Sequence, residues 1–170
     1  MTGQEGKDIF FLIRNDSRLE IPMKQSIIKM VREKGLKLTP QRLAIIDVLV
    51  DKTFFHPGAS IIVREAKKKV KTLSLSTVYS TLNELSRHGI IKAIEFDKME
   101  NRYEGDITDH INLVCKRCKK IMDFASPLSI DRKKIARKAG FRVTDTRLEC
   151  YGYCSACNKK SGRRVIAGFF

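Results

Sequence analysis

Residues 74–104 have the sequence SLSTVYSTLNELSRHGIIKAIEFDKMENRYE, and this stretch decides the fold of the first half of the chain. Ser74 can cap a helix that Gly89 ends, and the apolar residues between them recur at helical spacing. The four that we expect to face inward are Leu75, Val78, Leu82 and Leu85. Residues 90–96 and 102–104 then predict two strands joined by a polar turn. A helix followed by such a hairpin is typical of a winged helix-turn-helix.

The residues before this stretch predict three further helices. Apolar spacing places the first over residues 23–34. Thr39 and Pro40 begin the second, because the hydroxyl can cap a backbone amide and proline loses no hydrogen bond in the first turn. The third spans residues 60–70. With the hairpin, these helices predict a winged-helix domain over residues 23–105.

The rest of the chain predicts a different, strand-rich lobe over residues 106–170. Its expected elements are strands over residues 111–114, 121–124 and 142–151, and a helix over residues 130–138 closed by Gly140. At the other end, residues 1–22 carry mixed charge and Pro22, which predicts a loosely attached arm. The fold class is therefore α+β, with a winged helix-turn-helix lobe followed by a small α+β lobe.

Four of the five cysteines form two Cys-x-x-Cys pairs, Cys115 with Cys118 and Cys154 with Cys157. Two such pairs can complete a tetrahedron around one Zn²⁺ ion, which predicts one structural zinc site per chain. Four reduced cysteines packed as small apolar side chains, or a redox dithiol, are the alternatives. The fifth, Cys150, is predicted to be a buried small side chain.

The chain is strongly basic, with 34 lysines and arginines against 19 acidic residues and a formal net charge of +15. Such a charge favours an anionic partner. No apolar run approaches the roughly 20 residues that cross a bilayer, and residues 9–13 are too short for a signal-peptide core of about 7–15 residues. We therefore expect a cytoplasmic protein with no membrane partner.

The helix after Ser74 has the surface expected of a recognition helix, because the major groove admits short polar side chains but little bulky apolar surface. The outward residues predicted to meet DNA are Ser76, Thr77, Tyr79, Ser80 and Thr81. Tyr79 is suited to a thymine methyl or a phosphate. Basic residues nearby are predicted to neutralise phosphates, namely Lys37, Arg42, Lys67, Lys68, Lys69 and Lys71.

These motifs together resemble the ferric uptake regulator (Fur) family, in order and at similar intervals from about residue 24 to residue 160. The stretches that carry the resemblance are residues 38–42 (LTPQR), 56–59 (HPGA), 76–79 (STVY), 109–110 (DH), 122–124 (MDF) and 151–157 (YGYCSAC). The resemblance implies a homodimer, a DNA-binding winged-helix lobe, a dimerisation lobe and AT-rich inverted-repeat operators. It also implies a transcriptional regulator rather than an enzyme, with no small-molecule substrate.

The resemblance further implies a regulatory metal site between the lobes, holding Fe²⁺ or Mn²⁺. Four of its positions match, at His56, Glu104, His110 and Asp123. The fifth is normally histidine, whereas this chain has Asn112, whose amide oxygen is a weaker and harder donor. We therefore expect an altered affinity or metal preference. At Ser80 the family often has an arginine, so one expected DNA contact is missing.

Asp123 and residues 146–149 (TRLE) are most similar to the peroxide-sensing branch of the family. In that branch bound Fe²⁺ reacts with peroxide and histidine ligands are oxidised, which here would be His56 and His110. The resemblance thus implies a metal-dependent, sequence-specific repressor that responds to peroxide or to a metal ion. The alternatives are an iron- or zinc-uptake regulator of the same family, a zinc-ribbon nucleic-acid-binding protein and a thiol redox protein.

Overall fold

The computed structural model describes residues 20–96, 99–108, 110–125, 130–144 and 146–159. The described residues fall into two compact units, one ending at Thr108 and one comprising the residues from 110 onward. Residues 1–19 of the predicted arm lie outside the described residues. Within the described ranges, no helix has both the length and the apolar character needed to cross a membrane.

The N-terminal unit contains four α-helices and one short 3₁₀ turn. They are α1 (Glu20–Glu33), α2 (Pro40–Asp51), the 3₁₀ turn Thr53–Phe55, α3 (Ala59–Ala66) and α4 (Leu75–Arg87). The predicted caps are confirmed, since the Thr39 hydroxyl accepts from the Arg42 amide at 3.2 Å and the Ser74 hydroxyl accepts from the Thr77 amide at 3.1 Å. Each hydroxyl thus accepts a hydrogen bond from a first-turn amide that has no carbonyl partner within its helix.

Glycine ends α4 as the sequence predicts. Gly89 has φ of 66°, a left-handed conformation that glycine adopts without a Cβ penalty. The amides of Gly89 and Ile90 then donate to the carbonyls of Ser86 and Leu85 at 2.9 and 3.0 Å. This pattern of bonds is a Schellman motif, and it turns Ile90 into the core.

Three details of the N-terminal unit differ from the predictions. Helix α1 begins at Glu20, inside the predicted arm, because Pro22 lies in the first turn, where backbone amides have no partner to lose. Helix α3 ends at Ala66, and residues 67–70 continue as hydrogen-bonded turns. Leu75 is 46% exposed rather than inward-facing, since it is the first residue of α4.

One apolar core joins all four helices of this unit. Its fully buried members include Ile27 of α1, Ile45 and Leu49 of α2, Ile62 of α3, and Val78, Leu82 and Leu85 of α4. Burying a side chain of this size contributes about 1.5–3 kcal/mol. The helical spacing of these residues in the sequence therefore fixes how α4 packs on α2 and α3.

The wing is a two-stranded antiparallel sheet of β1 (Lys92–Ile94) and β2 (Arg102–Glu104). The first strand is shorter than the predicted 90–96, because Ile90 and Ile91 are buried in the core and the Ile90 amide completes the end of α4. Residues 57–58, after the 3₁₀ turn, also pair with the wing. Gly58 forms an isolated antiparallel β-bridge with Arg102, and the Tyr103 amide donates to the Pro57 carbonyl at 3.1 Å.

The C-terminal unit is built on a three-stranded sheet with the order β4-β3-β5. Its elements are β3 (Ile111–Cys115), β4 (Ile121–Phe124), α5 (Arg132–Ala139), β5 (Glu149–Gly152) and α6 (Ser155–Lys159). Strand β3 pairs antiparallel with β4 and parallel with β5. Gly140 ends α5 in the left-handed conformation, as predicted.

The predicted strand over residues 142–151 is wrong for most of its length. Only residues from Glu149 pair with β3, and the described residues 141–144 and 146–148 are not strand. A strand is stable only when a neighbour satisfies its backbone, and β3 is long enough to pair with four residues of β5. The short helix α6 was not predicted.

Candidate functional site

The topology of the C-terminal sheet brings the two Cys-x-x-Cys pairs together. Strands β3 and β5 are parallel, so their carboxyl ends meet at the same edge of the sheet, where Cys115 lies opposite Gly152. Cys115 ends β3, and Cys154 follows β5 by two residues. Cys118 lies in a tight turn closed by a hydrogen bond from the Lys119 amide to the Cys115 carbonyl, and Cys157 lies in α6.

The four sulfur atoms have the spacing of a tetrahedral zinc site. All four lie within 4.8 Å of one another, and the Sγ atoms of Cys118 and Cys154 are 3.7 Å apart. A tetrahedron with Zn–S bonds of about 2.3 Å has sulfur–sulfur edges of about 3.8 Å. The donor set and its geometry therefore fit a closed structural Zn²⁺ site, as the spacing predicted.

The protein environment prepares these thiols unequally for a metal. Hydrogen bonds from the backbone amides of Cys118 and Cys154 lower the pKa of Cys115 to about 6, and the Cys154 amide lies 3.4 Å from its sulfur. Burial, with hydrogen bonds shared among the other thiols, raises the pKa of Cys157 to about 12. Because zinc binds thiolates, the lowered pKa of Cys115 favours metal binding, whereas the raised pKa of Cys157 opposes it.

Arg117 reinforces the cysteine cluster in a way that spacing could not indicate. Its Nη1 donates to the Cys157 carbonyl at 2.9 Å, and its guanidinium lies 5.9 Å from the centre of the Tyr153 ring. The side chain thus ties the turn after β3 to α6. Its positive charge also favours negatively charged thiolates nearby.

In the N-terminal unit, two of the predicted regulatory ligands lie next to each other. His56 Nε2 is 3.2 Å from Glu104 Oε2, and the two side chains are 0% and 2% exposed. The pairing follows from the backbone, since the segment 57–58 is hydrogen-bonded to β2, of which Glu104 is the last residue. A buried imidazole and carboxylate at this distance are a natural beginning for a divalent metal site.

The backbone of His56 is itself unusual. It has φ of 44° and ψ of 71°, a left-handed conformation at a residue that precedes proline. Such a conformation costs about 1–3 kcal/mol and persists only where the surroundings enforce it, which is common at functional sites. Glu100 contributes to that enforcement, because its carboxylate accepts from the Ser60 amide at 2.7 Å and from the Ser60 hydroxyl at 2.8 Å, at the start of α3.

In the C-terminal unit, two of the remaining predicted ligands share one face of a hairpin. Asn112 of β3 and Asp123 of β4 are direct partners across the antiparallel pair, so their side chains lie on the same face. Asn112 is buried, and Asp123 is half-buried. His110 directly precedes β3 and is half-buried.

The candidate DNA-contacting residues occupy the first turns of α4. Ser76, Thr77 and Ser80 are exposed, and Tyr79 is 38% exposed. The Ser74 hydroxyl lies 2.8 Å from both the Ser76 and the Thr77 hydroxyls, which orders this end of the helix. Thr81 was predicted to face outward but is 8% exposed, because it lies on the core side of the helix.

The structure places several predicted phosphate contacts in ion pairs with carboxylates. Arg42 pairs with Glu84 of α4 and donates to the Lys37 carbonyl, and its side chain is 12% exposed. Lys69 lies 2.6 Å from Asp47, and Lys68 lies 2.6 Å from Glu65. Glu84 is 42 residues from Arg42, so no sequence pattern indicated this pair. Lys71 remains exposed.

Cys150 is exposed in this chain, contrary to the prediction of a buried side chain. It lies on β5, an edge strand of the sheet, opposite Leu113. Successive strand residues point to opposite faces, and on β5 neither face is fully covered. The neighbouring Tyr151 is also exposed, at 55%.

Comparison with known proteins agrees with this architecture. The Ferric uptake regulator family matches residues 33–151. The peroxide operon regulator of Bacillus subtilis (strain 168) is 34% identical over 134 residues, covering 78% of this chain and 92% of that protein. The peroxide-responsive repressor PerR of Staphylococcus aureus (strain Mu50 / ATCC 700699) is 30% identical over 143 residues, covering 84% and 95%.

A solved structure, a zinc-bound manganese uptake regulator, superposes with a TM-score of 0.56 at 32% identity, covering 76% of this chain and 98% of that one. A winged-helix unit together with a four-thiolate metal unit defines a class of metal-dependent transcriptional regulators. Within that class, this chain belongs to the ferric uptake regulator family. Regulators of this family bind DNA, act as dimers and are not enzymes.

Proposed function

We propose that the protein is a peroxide-responsive, metal-dependent repressor that binds AT-rich inverted-repeat operators as a homodimer. The observation that carries the proposal is the buried pair of His56 and Glu104, of which Glu104 is the last residue of the wing strand β2. A metal bound there would join the segment before α3 to the wing, within the unit that also carries α4. The names of the two peroxide regulators with which the chain shares 30% and 34% identity support the same response.

For the regulatory metal, we propose Fe²⁺ or Mn²⁺ held by five residues. They are His56, Glu104, His110, Asn112 and Asp123. Two imidazoles with oxygen donors suit these ions, whereas the four cysteines suit zinc. Fe²⁺ supplies the reducing electrons for peroxide when bound. The chain's own residues hold the ion, and the imidazoles of His56 and His110 are the groups that become oxidised.

For DNA, we propose that α4 enters the major groove and that its first turns contact the bases and backbone. The contacting residues would be Ser76, Thr77, Tyr79 and Ser80, with Arg42 and Lys71 near the phosphates. The C-terminal unit would form the dimer, so that two copies of α4 meet successive half-sites. A repressor of this kind works in the cytoplasm, needs no membrane and acts on no small-molecule substrate.

The regulation would be a shift of population. Metal bound by the five proposed ligands would favour one spacing of the two α4 helices, and only that spacing would fit consecutive major-groove half-sites. An oxygen atom transferred from peroxide to the imidazole of His56 or His110 would weaken that side chain as a donor. These residues would then hold the metal less tightly, and the favoured spacing would be lost. The operator is then released.

The test begins with duplexes selected from a random pool by the full chain in Mn²⁺. Affinity for the selected duplex is then measured with Mn²⁺, with Fe²⁺, with a chelator, and with Fe²⁺ followed by peroxide. We expect tight binding with either metal alone. Affinity should fall at least tenfold with the chelator, and it should also fall when Fe²⁺ is followed by peroxide. Mass spectrometry should find oxygen added to peptides that contain His56 or His110. His88 is the internal control, because it is not a proposed ligand and its peptide should gain no oxygen.

A response to metal with no response to peroxide would instead favour a metal-uptake regulator. Asn112 is the observation in favour of that second candidate, because an amide oxygen replaces an imidazole among the proposed ligands. Harder oxygen donors favour Mn²⁺ relative to softer ions. Equal affinity for all duplexes in every condition would contradict both candidates.

A further inference from the structure

Helix α5 is an unusually basic element of the C-terminal unit. Its eight residues, RKKIARKA, include five basic side chains and no acidic one. None of its residues is buried, and Ile135 is the single half-buried side chain. The helix therefore adds little to the core of its unit, and its charge needs another explanation.

The charges of α5 repel one another within the helix. Lys133 and Arg137, and likewise Lys134 and Lys138, are four residues apart, so each pair of like charges lies close together on the helix surface and destabilises the helix. Among the residues that the structure describes, no carboxylate forms an ion pair with any of these four. Asp131, directly before the helix, uses its side chain to accept the Lys134 amide at 2.8 Å as the helix cap.

We propose that α5 is a second DNA-binding surface, which contacts backbone phosphates of the duplex outside the bases met by α4. This inference rests on the proposed function, since it takes the operator duplex as the occupant. A polyanion relieves the repulsion along the helix, and lysine and arginine are the residues that contact phosphates. Such contacts raise affinity and fix the protein's position without selecting a base sequence.

The same charges argue against the other occupants of this surface. A second copy of α5 would place five more positive charges against the first five, so this helix is a poor dimer contact. Exposed large apolar side chains lie on the sheet, such as Phe124 and Tyr151 at 39% and 55%, and on either side of α5, at Ile130 and Phe141, but none belongs to the helix itself. A membrane surface requires an apolar face, and α5 offers only Ile135 and small alanines.

The experiment neutralises the helix in the full-length, zinc-loaded protein. The variant is Lys133→Gln, Lys134→Gln, Arg137→Gln and Lys138→Gln together, which retains helix propensity and removes the like-charge pairs. Affinity is measured against salt concentration for the selected operator duplex with long flanks and for the same site without flanks. Each phosphate that the protein neutralises adds about 0.9 to the slope of log K against log salt.

We expect the slope on the flanked duplex to fall by about 2–4, and affinity at 0.1 M salt to fall about tenfold for each phosphate that is no longer neutralised. The preference for the operator over unrelated duplex should be unchanged, since α4 is intact. The matched control keeps the charge by exchanging lysine and arginine at the same four positions. Its slope and affinity should equal those of the parent.

An unchanged salt slope in the glutamine variant, with zinc content and dimer mass as in the parent, would overturn the proposal. A loss of dimer mass with an unchanged slope would overturn it too, because α5 would then be a protein contact. Failure of the proposed function has a different result, namely no operator preference in the parent itself. The two failures are thus separable in one series of measurements.

Discussion

At the scale of single residues, the candidate DNA contact and the candidate metal ligand differ in their exposure to solvent. Tyr79 is 38% exposed on α4, beside hydroxyls that bond to one another at the start of the helix. His56 is fully buried and strained, and its imidazole lies next to Glu104. The exposed residue suits DNA, and the buried pair suits a metal.

Tyr79→Ala should therefore weaken operator binding and leave the dimer intact. A base or phosphate interaction of this kind is worth about 1–3 kcal/mol, which is roughly a 5- to 150-fold change in dissociation constant. Tyr79→Phe separates the ring from the hydroxyl: it should retain affinity if the ring meets a thymine methyl and lose it if the hydroxyl meets a phosphate. Fluorescence anisotropy measures the affinity for the operator, and sedimentation measures the mass of the dimer. Unchanged affinity in the alanine variant would remove this part of α4 from the interface.

At the scale of elements, polar contacts between helices and strands set the position of the recognition helix and the wing. Arg42 of α2 pairs with Glu84 of α4, and Glu100 beside the wing accepts two hydrogen bonds from Ser60 at the start of α3. Gly58 permits the second contact, since a Cβ there would lie 2.2 Å from a Glu100 oxygen. These contacts join residues that are distant in sequence.

The pair of Arg42 and Glu84 makes a prediction that distinguishes packing from DNA contact. If Arg42 positions α4, then Arg42→Met and Glu84→Gln should each lower the melting temperature, and the double variant should show a coupling of about 0.5–3 kcal/mol. Thermal and denaturant unfolding measure this. If Arg42 instead meets a phosphate, Arg42→Met should lower the salt slope of DNA binding by about 0.9 with no loss of stability.

The elements also show how far local pattern determines local structure. Helix α2 begins at the predicted Pro40, and α4 begins and ends within a residue of its predicted bounds, because caps and glycines act over a few residues. Strand β1 and the predicted strand over 142–151 were too long. Strand length depends on a partner that is distant in sequence, and neither Ile90 nor residues 142–144 have one among the described strands.

At the scale of the whole molecule, the zinc site decides whether the C-terminal unit exists as a folded body. The sheet has three short strands, and few of its side chains are fully buried. A structural zinc ion contributes about 10–16 kcal/mol of apparent binding energy at pH 7. The four cysteines therefore supply stability that the small apolar core of this unit does not.

Cys115→Ser, or removal of zinc by a chelator, should unfold this unit and dissociate the dimer while the N-terminal helices remain. Circular dichroism, zinc analysis and sedimentation report the three outcomes. Cys150→Ser is the matched control, because Cys150 lies outside the cluster and should keep zinc and dimer. A metal-free Cys115→Ser protein that remained dimeric would contradict the structural role.

Zinc affinity should also depend on pH with a predictable sign. The pKa of Cys115 is lowered to about 6, so its thiolate is present above that pH and is lost as the pH falls through it. The pKa of Cys157 is raised to about 12, so zinc must displace its proton throughout the neutral range. Competition with a chromophoric chelator should show that zinc affinity decreases as the pH is lowered, and that it decreases more steeply below about pH 6. A flat profile from pH 8 to 5 would contradict this account.

The amino-acid sequence by itself determined the winged-helix pattern, the α+β lobe and the four zinc ligands. Each depends on apolar periodicity, a cap or a fixed short spacing, which act between neighbours in the chain. The tertiary structure alone decided that β5 runs parallel to β3, that His56 lies beside Glu104, and that Arg42 meets Glu84 rather than solvent. The residues in these contacts are far apart in the chain. The separation is 37 positions for the paired residues of β3 and β5 and 48 positions for His56 and Glu104. Packing brings such residues together, and no local pattern encodes it.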